Sequence, residues 1–419
     1  MEMDQNQYLE RLCGAAKEAS RPVARLSINE RNAALRSMAR RLRAEEKFIL
    51  AENARDIGEA ERSGQTKAFI DRLVLNHDRI EAIARSIEEI ALLEDPIGKI
   101  ENMRTMPSGI RVGQMRVPLG VVCVIFESRP NVTTDIAALC VKSGNACVLR
   151  GGKESIHSNM ALHRVITEAL DEIGLPGAAV TLIDRTDREL VPVLLKMNRH
   201  IDIVIPRGGE SLIQAVVRDS TIPVIKHDKG VCHTYVDKSA DAKMAVDICI
   251  NAKVQRPGVC NAMETLLVHR EYPHTRKLLE ALVEKGVELR GCPESAAVLP
   301  GKVKAATEDD WFAEYLDLVL AVRIVGGMDE AIVHIERYGS GHSEAIVTND
   351  YVAAESFLSR VDSAAVFVNA STRFHDGGEF GLGAEVGIST QKLHARGTMG
   401  IGGLTCLKYV VYGNGQVRS

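Results

Sequence analysis

Phenylalanine, tryptophan and tyrosine together make up 4% of this 419-residue chain, and tryptophan occurs once. A surface that stacks successive bases needs aromatic platforms, so the shortage argues against one. An excess of charge of one sign is also missing. Lys and Arg number 52 against 56 Asp and Glu, a formal charge of −4, with the signs interspersed. No general pull toward nucleic acid or an anionic membrane follows. No apolar run approaches the roughly 18 residues of a membrane span. The opening stretch, "MEMDQNQYLERLCGAAKEAS", lacks the basic region and apolar centre of a secretory leader, so none is expected. The nine cysteines form no CxxC pair, and the twelve histidines show no ligand spacing. No metal site is expected. Scattered thiols, odd in number, fit a reducing, cytoplasmic setting.

What is present is ordinary globular material, 45% apolar and 26% charged. The length implies two or three lobes. The first hundred residues read as helices. Ser27 and Glu30 form a capping box ahead of Leu35, Met38 and Leu42. Ile80, Ile83, Ile87 and Ile90 mark another amphipathic helix. The basic run "RSMARRLRAEE" reads as a solvated helix face. "GIRVGQMRV" then changes period and reads as extended chain with a bulge at Gly113. Its partner stays open: another segment or another subunit.

From Gly120 strands and helices alternate. "GVVCVIF" is apolar throughout, as in a strand buried on both faces. "VTTDIAALCVKSGNA" reads as a helix ending near Gly144, "CVLR" as a strand, and "IDIVI" and "IPVIK" as later strands. Such a βαβ series predicts a parallel sheet, with ligands beyond the carboxyl ends of its strands. The usual GxGxxG is absent. Instead "RGGKES" (150–155) and "PRGGES" (206–211) each place a glycine pair before a helix, where backbone N–H groups can approach a phosphate. A plain tight turn explains either pair alone; two at one end of a sheet favour a nucleotide cleft.

A second α/β lobe contains "VQRPGVCNAMETLLVH". Here Cys260 sits in a Pro-Gly loop, four residues after Arg256. A structural thiol is one reading. A nucleophile activated by nearby positive charge is the other. The tail "FHDGGEFGLGAEVGISTQKLHARGTMGIGGLTCLKYVVYG" is dense in glycine, which is entropically expensive and suits functional loops.

"PLGVVCVIFESRPNVTTDIAALCVKSGNACVLRGG" resembles the first cofactor-binding strands of the aldehyde dehydrogenase superfamily. "QRPGVCNAMET", "YGSGHSEAIVT" and "FGLGAEVGISTQKLHARG" resemble, more narrowly, its gamma-glutamyl phosphate reductase (glutamate-5-semialdehyde dehydrogenase) family. The resemblance covers nearly the whole chain. It implies an α/β fold: a Rossmann-like parallel-sheet cofactor lobe, an α/β catalytic lobe and a small β oligomerisation element. The expected boundaries are 1–226 for NADP binding, with 101–118 as an extended oligomerisation segment. Residues 227–385 are expected to be catalytic, and 386–419 to be a return segment ending in an oligomerisation strand.

The implied reaction is NADPH-dependent reduction of L-glutamyl 5-phosphate to L-glutamate 5-semialdehyde and phosphate through a cysteine thioester, in proline biosynthesis. The resemblance makes Cys260 the nucleophile and Asn131 an oxyanion donor, Asn131 being otherwise a helix N-cap. It matches Glu314 to the carboxylate that holds the nicotinamide ribose. Hydrolytic relatives carry a water-activating glutamate. Here the corresponding stretch, "VIKHDKGVCHTYVD", contains none, and Lys226 stands at the matching position. That absence protects a thioester from water. Arg150 and Lys153 replace the lysine and glutamate of NAD-specific relatives, which favours NADP(H). Gly208 and Gly209 are the expected pyrophosphate cradle. Arg129, Arg373 and His342 are candidates for the substrate, with Glu344, His375 and Asp376 as further pocket residues and His394 as a structural one. The expected partners are a second copy of the chain, as homodimer or higher oligomer, and a glutamate kinase in a transient complex. Two alternatives stand: another acyl-enzyme dehydrogenase, hydrolytic or coenzyme A-acylating, and an inactive relative that keeps the fold.

Overall fold

The computed structural model describes residues 4–226 and 229–418. The chain divides into two compact units. One comprises Met1–Lys226, Gly381–Gly387 and Met399–Ser419; the other comprises His227–Phe380 and Ile388–Thr398. The return is therefore interleaved: after Phe380 the chain changes unit three times. His227 and Asp228, where the sequence places the first boundary, lie outside the described residues.

In the first unit the capping box forms as expected. The Ser27 hydroxyl accepts the Glu30 N–H, and the Glu30 carboxylate accepts the Ser27 N–H at 2.7 Å, at the start of helix Ile28–Ala44. Leu35, Met38 and Leu42 are buried, as are the four isoleucines of helix His77–Leu92. The basic run is more than a solvated face. Arg43 lies between Glu81 and Glu88, and Arg41 pairs with Glu168 and Glu172.

A four-stranded parallel sheet follows, in the order Val180–Leu182, Ala146–Arg150, Val121–Phe126, Ile203–Arg207. Val121–Phe126 is central and wholly buried. The strand order reverses there, the kind of switch point that opens a crevice beyond the strand ends. Helix Asn131–Lys142 leaves this strand and stops at Gly144, whose φ of +73° glycine adopts without strain. "IPVIK" does not become a strand. It contributes one isolated bridge, Val224 to Val204, because Pro223 interrupts its ladder.

The partner left open for "GIRVGQMRV" lies in the same chain. Strand Arg111–Pro118 pairs antiparallel with Ile100–Thr105 on one side and Thr405–Tyr412 on the other. The bulge lies opposite the expected place. It falls between Glu101 and Arg104, where Asn102 takes φ +55°, an angle asparagine tolerates better than most. Gly113 instead makes room: a Cβ there would come within 2.8 Å of the Met103 methyl. Leu407, Tyr409 and Val411 stand exposed on one face of the last strand.

The second unit is built on seven parallel strands, ordered Val303–Ala305, Glu288–Gly291, Val319–Val325, Met263–His269, Cys232–Val236, Ser343–Val347, Ala365–Val368. Met263–His269 is buried along its whole length. Among the described residues no helix is long and apolar enough to cross a membrane.

Candidate active site

Cys260 lies in the turn that joins helix Ala242–Val254 to the central strand Met263–His269. The turn is held from three sides. Gly230 packs on the Cys260 carbonyl so closely that a Cβ would fall 1.9 Å from that oxygen. The Cys232 thiol donates to the same oxygen at 3.1 Å. Arg373 grips both ends of the loop, donating from Nε to Gln255 at 2.8 Å and from the guanidinium to the Asn261 amide oxygen. Asn261, buried, donates in return to the His375 carbonyl at 3.0 Å, and its own carbonyl accepts the Thr372 hydroxyl at 2.7 Å.

Charge singles out this thiol. Burial, then the neighbouring Arg256, lowers the Arg373 pKa, while Cys260, Asp376 and Glu379 act in the opposite sense. The Arg373 cation is thus within electrostatic reach of Cys260. Burial pushes the thiols of Cys13 and Cys249 up to about 12 and those of Cys123 and Cys232 well above the ordinary value. Arg373 is therefore a clamp on the Cys260 loop, a role its sequence neighbourhood does not reveal.

His342 is fully buried, its Nδ1 2.8 Å from Ser343 Oγ and 3.7 Å from the Cys232 sulfur. Ser343 Oγ also meets His375 Nδ1 at 2.8 Å. Glu344 faces the other way, where it pairs with His233, both of them sealed from solvent. Glu314 accepts the Gly230 N–H at 2.9 Å, which brings the expected ribose carboxylate to the segment that packs on Cys260.

In the first unit both glycine pairs lie just past the carboxyl ends of parallel strands. Each pair faces a carboxylate. Glu127 accepts the Gly209 N–H at 3.1 Å and fills the place of a Gly208 Cβ; Glu154 fills that of a Gly152 Cβ. Glu154 also accepts the Ser128 N–H at 2.7 Å, at a residue with φ +47°. The chain's own carboxylates thus occupy the backbone donors at Gly209 and Ser128. Arg150 turns inward, buried, donating to the Gly151 and Thr186 carbonyls, whereas Lys153 and Arg129 are exposed. Asn131 donates from its amide to Asp135 at 2.9 Å, and burial pushes that carboxyl up to about 6. Asn131 is the first residue of its helix rather than the N-cap, which is Pro130.

The aldehyde dehydrogenase family model matches residues 1–318. The gamma-glutamyl phosphate reductase of Moorella thermoacetica is 54% identical over 96% of this chain and 97% of its own. That of Desulfatibacillum aliphaticivorans is 53% identical over the full length of both. The crystal structure of the gamma-glutamyl phosphate reductase from Thermotoga maritima superposes with a TM-score of 0.95 at 44% identity, covering 98% of this chain and all of that one.

Proposed function

The chain belongs to the aldehyde dehydrogenase family and, within it, to the gamma-glutamyl phosphate reductases, and from that premise we propose how its residues divide the chemistry. It is an oxidoreductase that reduces glutamyl phosphate in proline biosynthesis. The observation that carries the assignment of roles is the Cys260 loop, gripped at both ends by Arg373.

The Cys260 thiolate attacks the acyl carbon of glutamyl 5-phosphate. Asn131 is assigned to the resulting oxyanion by the family resemblance. Collapse breaks the carbon–oxygen bond to phosphate, and inorganic phosphate leaves a thioester on Cys260. A nicotinamide cofactor, once bound, would supply the hydride that reduces the thioester carbon. A second collapse breaks the carbon–sulfur bond, releases the semialdehyde and restores the thiolate. No glutamate stands in "VIKHDKGVCHTYVD" to activate water on the thioester, which favours phosphate over water as its exchange partner.

We assign NADP(H) as the cofactor, with Gly208 and Gly209 on the pyrophosphate, Lys153 on the 2′-phosphate and Glu314 on the nicotinamide ribose. Arg150, turned inward, shapes the Gly151–Gly152 turn instead of reaching out. The unit that begins with residues 1–226 then acts as the cofactor domain, and the unit built on 227–380, rather than the expected 227–385, as the catalytic one. Arg129 remains the candidate for the substrate carboxylate, with Arg373 and His342 acting through the loop and its polar surroundings. We place the enzyme in the cytoplasm, as a homodimer or higher oligomer. A glutamate kinase must supply the labile acyl phosphate, in a transient complex. A monomeric sedimentation profile would count against the assembly.

The test of the reaction is its reverse. Purified enzyme with glutamate semialdehyde and NADP should form NADPH only when inorganic phosphate is present. Turnover without phosphate would mean that water or another acceptor resolves the thioester, as in the hydrolytic relatives.

A further inference from the structure

Lys253 and Glu264 flank the nucleophile loop in sequence and meet each other in space. Lys253 stands in the last turn of helix Ala242–Val254, and Glu264 is the second residue of strand Met263–His269. Both are fully buried, with Nζ 2.5 Å from Oε2. Burial pushes Glu264 up to about 7 and Lys253 down, although each attracts the other's charge. A well-packed apolar pair would join the same helix and strand at no greater cost, so stability does not explain the pair.

What the ion pair adds is direction. With Oε2 held by Lys253, the other oxygen of Glu264 accepts the Leu316 N–H at 3.3 Å. Leu316 takes φ +54°, a strained angle for any residue with a Cβ, and its side chain is half exposed, so core packing does not hold it there. Two residues earlier, Glu314 accepts the Gly230 N–H, and Gly230 packs on the Cys260 carbonyl. The contacts run in a closed ring: loop base, Glu264, Leu316, Glu314, Gly230, Cys260.

We infer that Lys253 and Glu264 are positioning residues, which fix Cys260 and Glu314 in one register through the strained turn at Leu316. The inference rests on the proposed roles of Cys260 and Glu314. The double variant Lys253→Met with Glu264→Leu separates positioning from packing. Its thermal midpoint should match the parent, while kcat falls by about 10²-fold, the cost of roughly 1 Å of misplacement, and the cofactor KM rises. A parental midpoint together with parental kcat and cofactor KM would overturn it. Where the apolar pair does not fold, the isosteric Glu264→Gln decides: a lowered kcat with a raised cofactor KM supports the inference, and parental values of both overturn it. Turnover surviving in Cys260→Ala would mark failure of the underlying reading instead.

Discussion

Cys260→Ala should lower turnover by about 10⁴-fold or more in both directions while cofactor affinity stays near the parent's. The physical reason is that the nearest thiol cannot substitute. Cys232, whose sulfur lies 3.1 Å from the Cys260 carbonyl, is sealed in the interior and held protonated by burial. Steady-state rates with a fluorescence titration of NADPH would check both halves of the expectation. Parental turnover would remove the thioester from the mechanism. Asn131→Ala is the graded companion: loss of one oxyanion donor costs about 10²–10³ in kcat, so it should fall between the parent and Cys260→Ala.

Gly230→Ala is expected to be nearly as damaging, although residue 230 carries no reacting group. The added Cβ would stand 1.9 Å from the Cys260 oxygen and 2.5 Å from its carbonyl carbon and Cα. All three are backbone atoms, so no side chain can swing aside. Cys260 or Gly230 must move by more than an ångström, and the Glu314 hydrogen bond to the Gly230 N–H goes with it. A displacement of about 1 Å already costs about 10²-fold, so a loss above about 10³-fold in kcat/KM is expected. Mass-mapped alkylation of Cys260 by iodoacetamide would report the displaced loop independently of turnover. Parental kinetics and alkylation would mean that the loop repacks freely.

Local signals in the chain carried far. The capping box at Ser27, the buried isoleucines and the wholly apolar strand at Val121 are each written in a few neighbouring residues, and each forms. Non-local pairing was less legible. Nothing in "GIRVGQMRV" names Thr405–Tyr412 as its partner, because register there is set by residues at the far end of the chain. The site divides along the same line. The Cys260 loop stands out in its own few residues, whereas Arg373 as the clamp on that loop does not, since its partners Gln255 and Asn261 lie more than a hundred positions away. One signal went unused at Glu264, which stands in the apolar run "METLLVH"; Glu344, in "SEAIVT", reads as a pocket residue instead. A carboxylate inside a strand buried on both faces requires a partner. The structure supplies Lys253 and His233.

The three-stranded sheet has a consequence for biosynthesis. Arg116 bonds to Thr405, 289 residues later, so the unit that begins with the first helix cannot be completed until the last strand leaves the ribosome. At about 5–20 residues per second, roughly 15–60 s pass between the two strands. Throughout that interval Arg111–Pro118 presents one unsatisfied edge, the kind of template on which nascent chains pair wrongly. A chain ending at Leu404 would never close that edge. The final strand thus acts as a late-arriving seal on that edge.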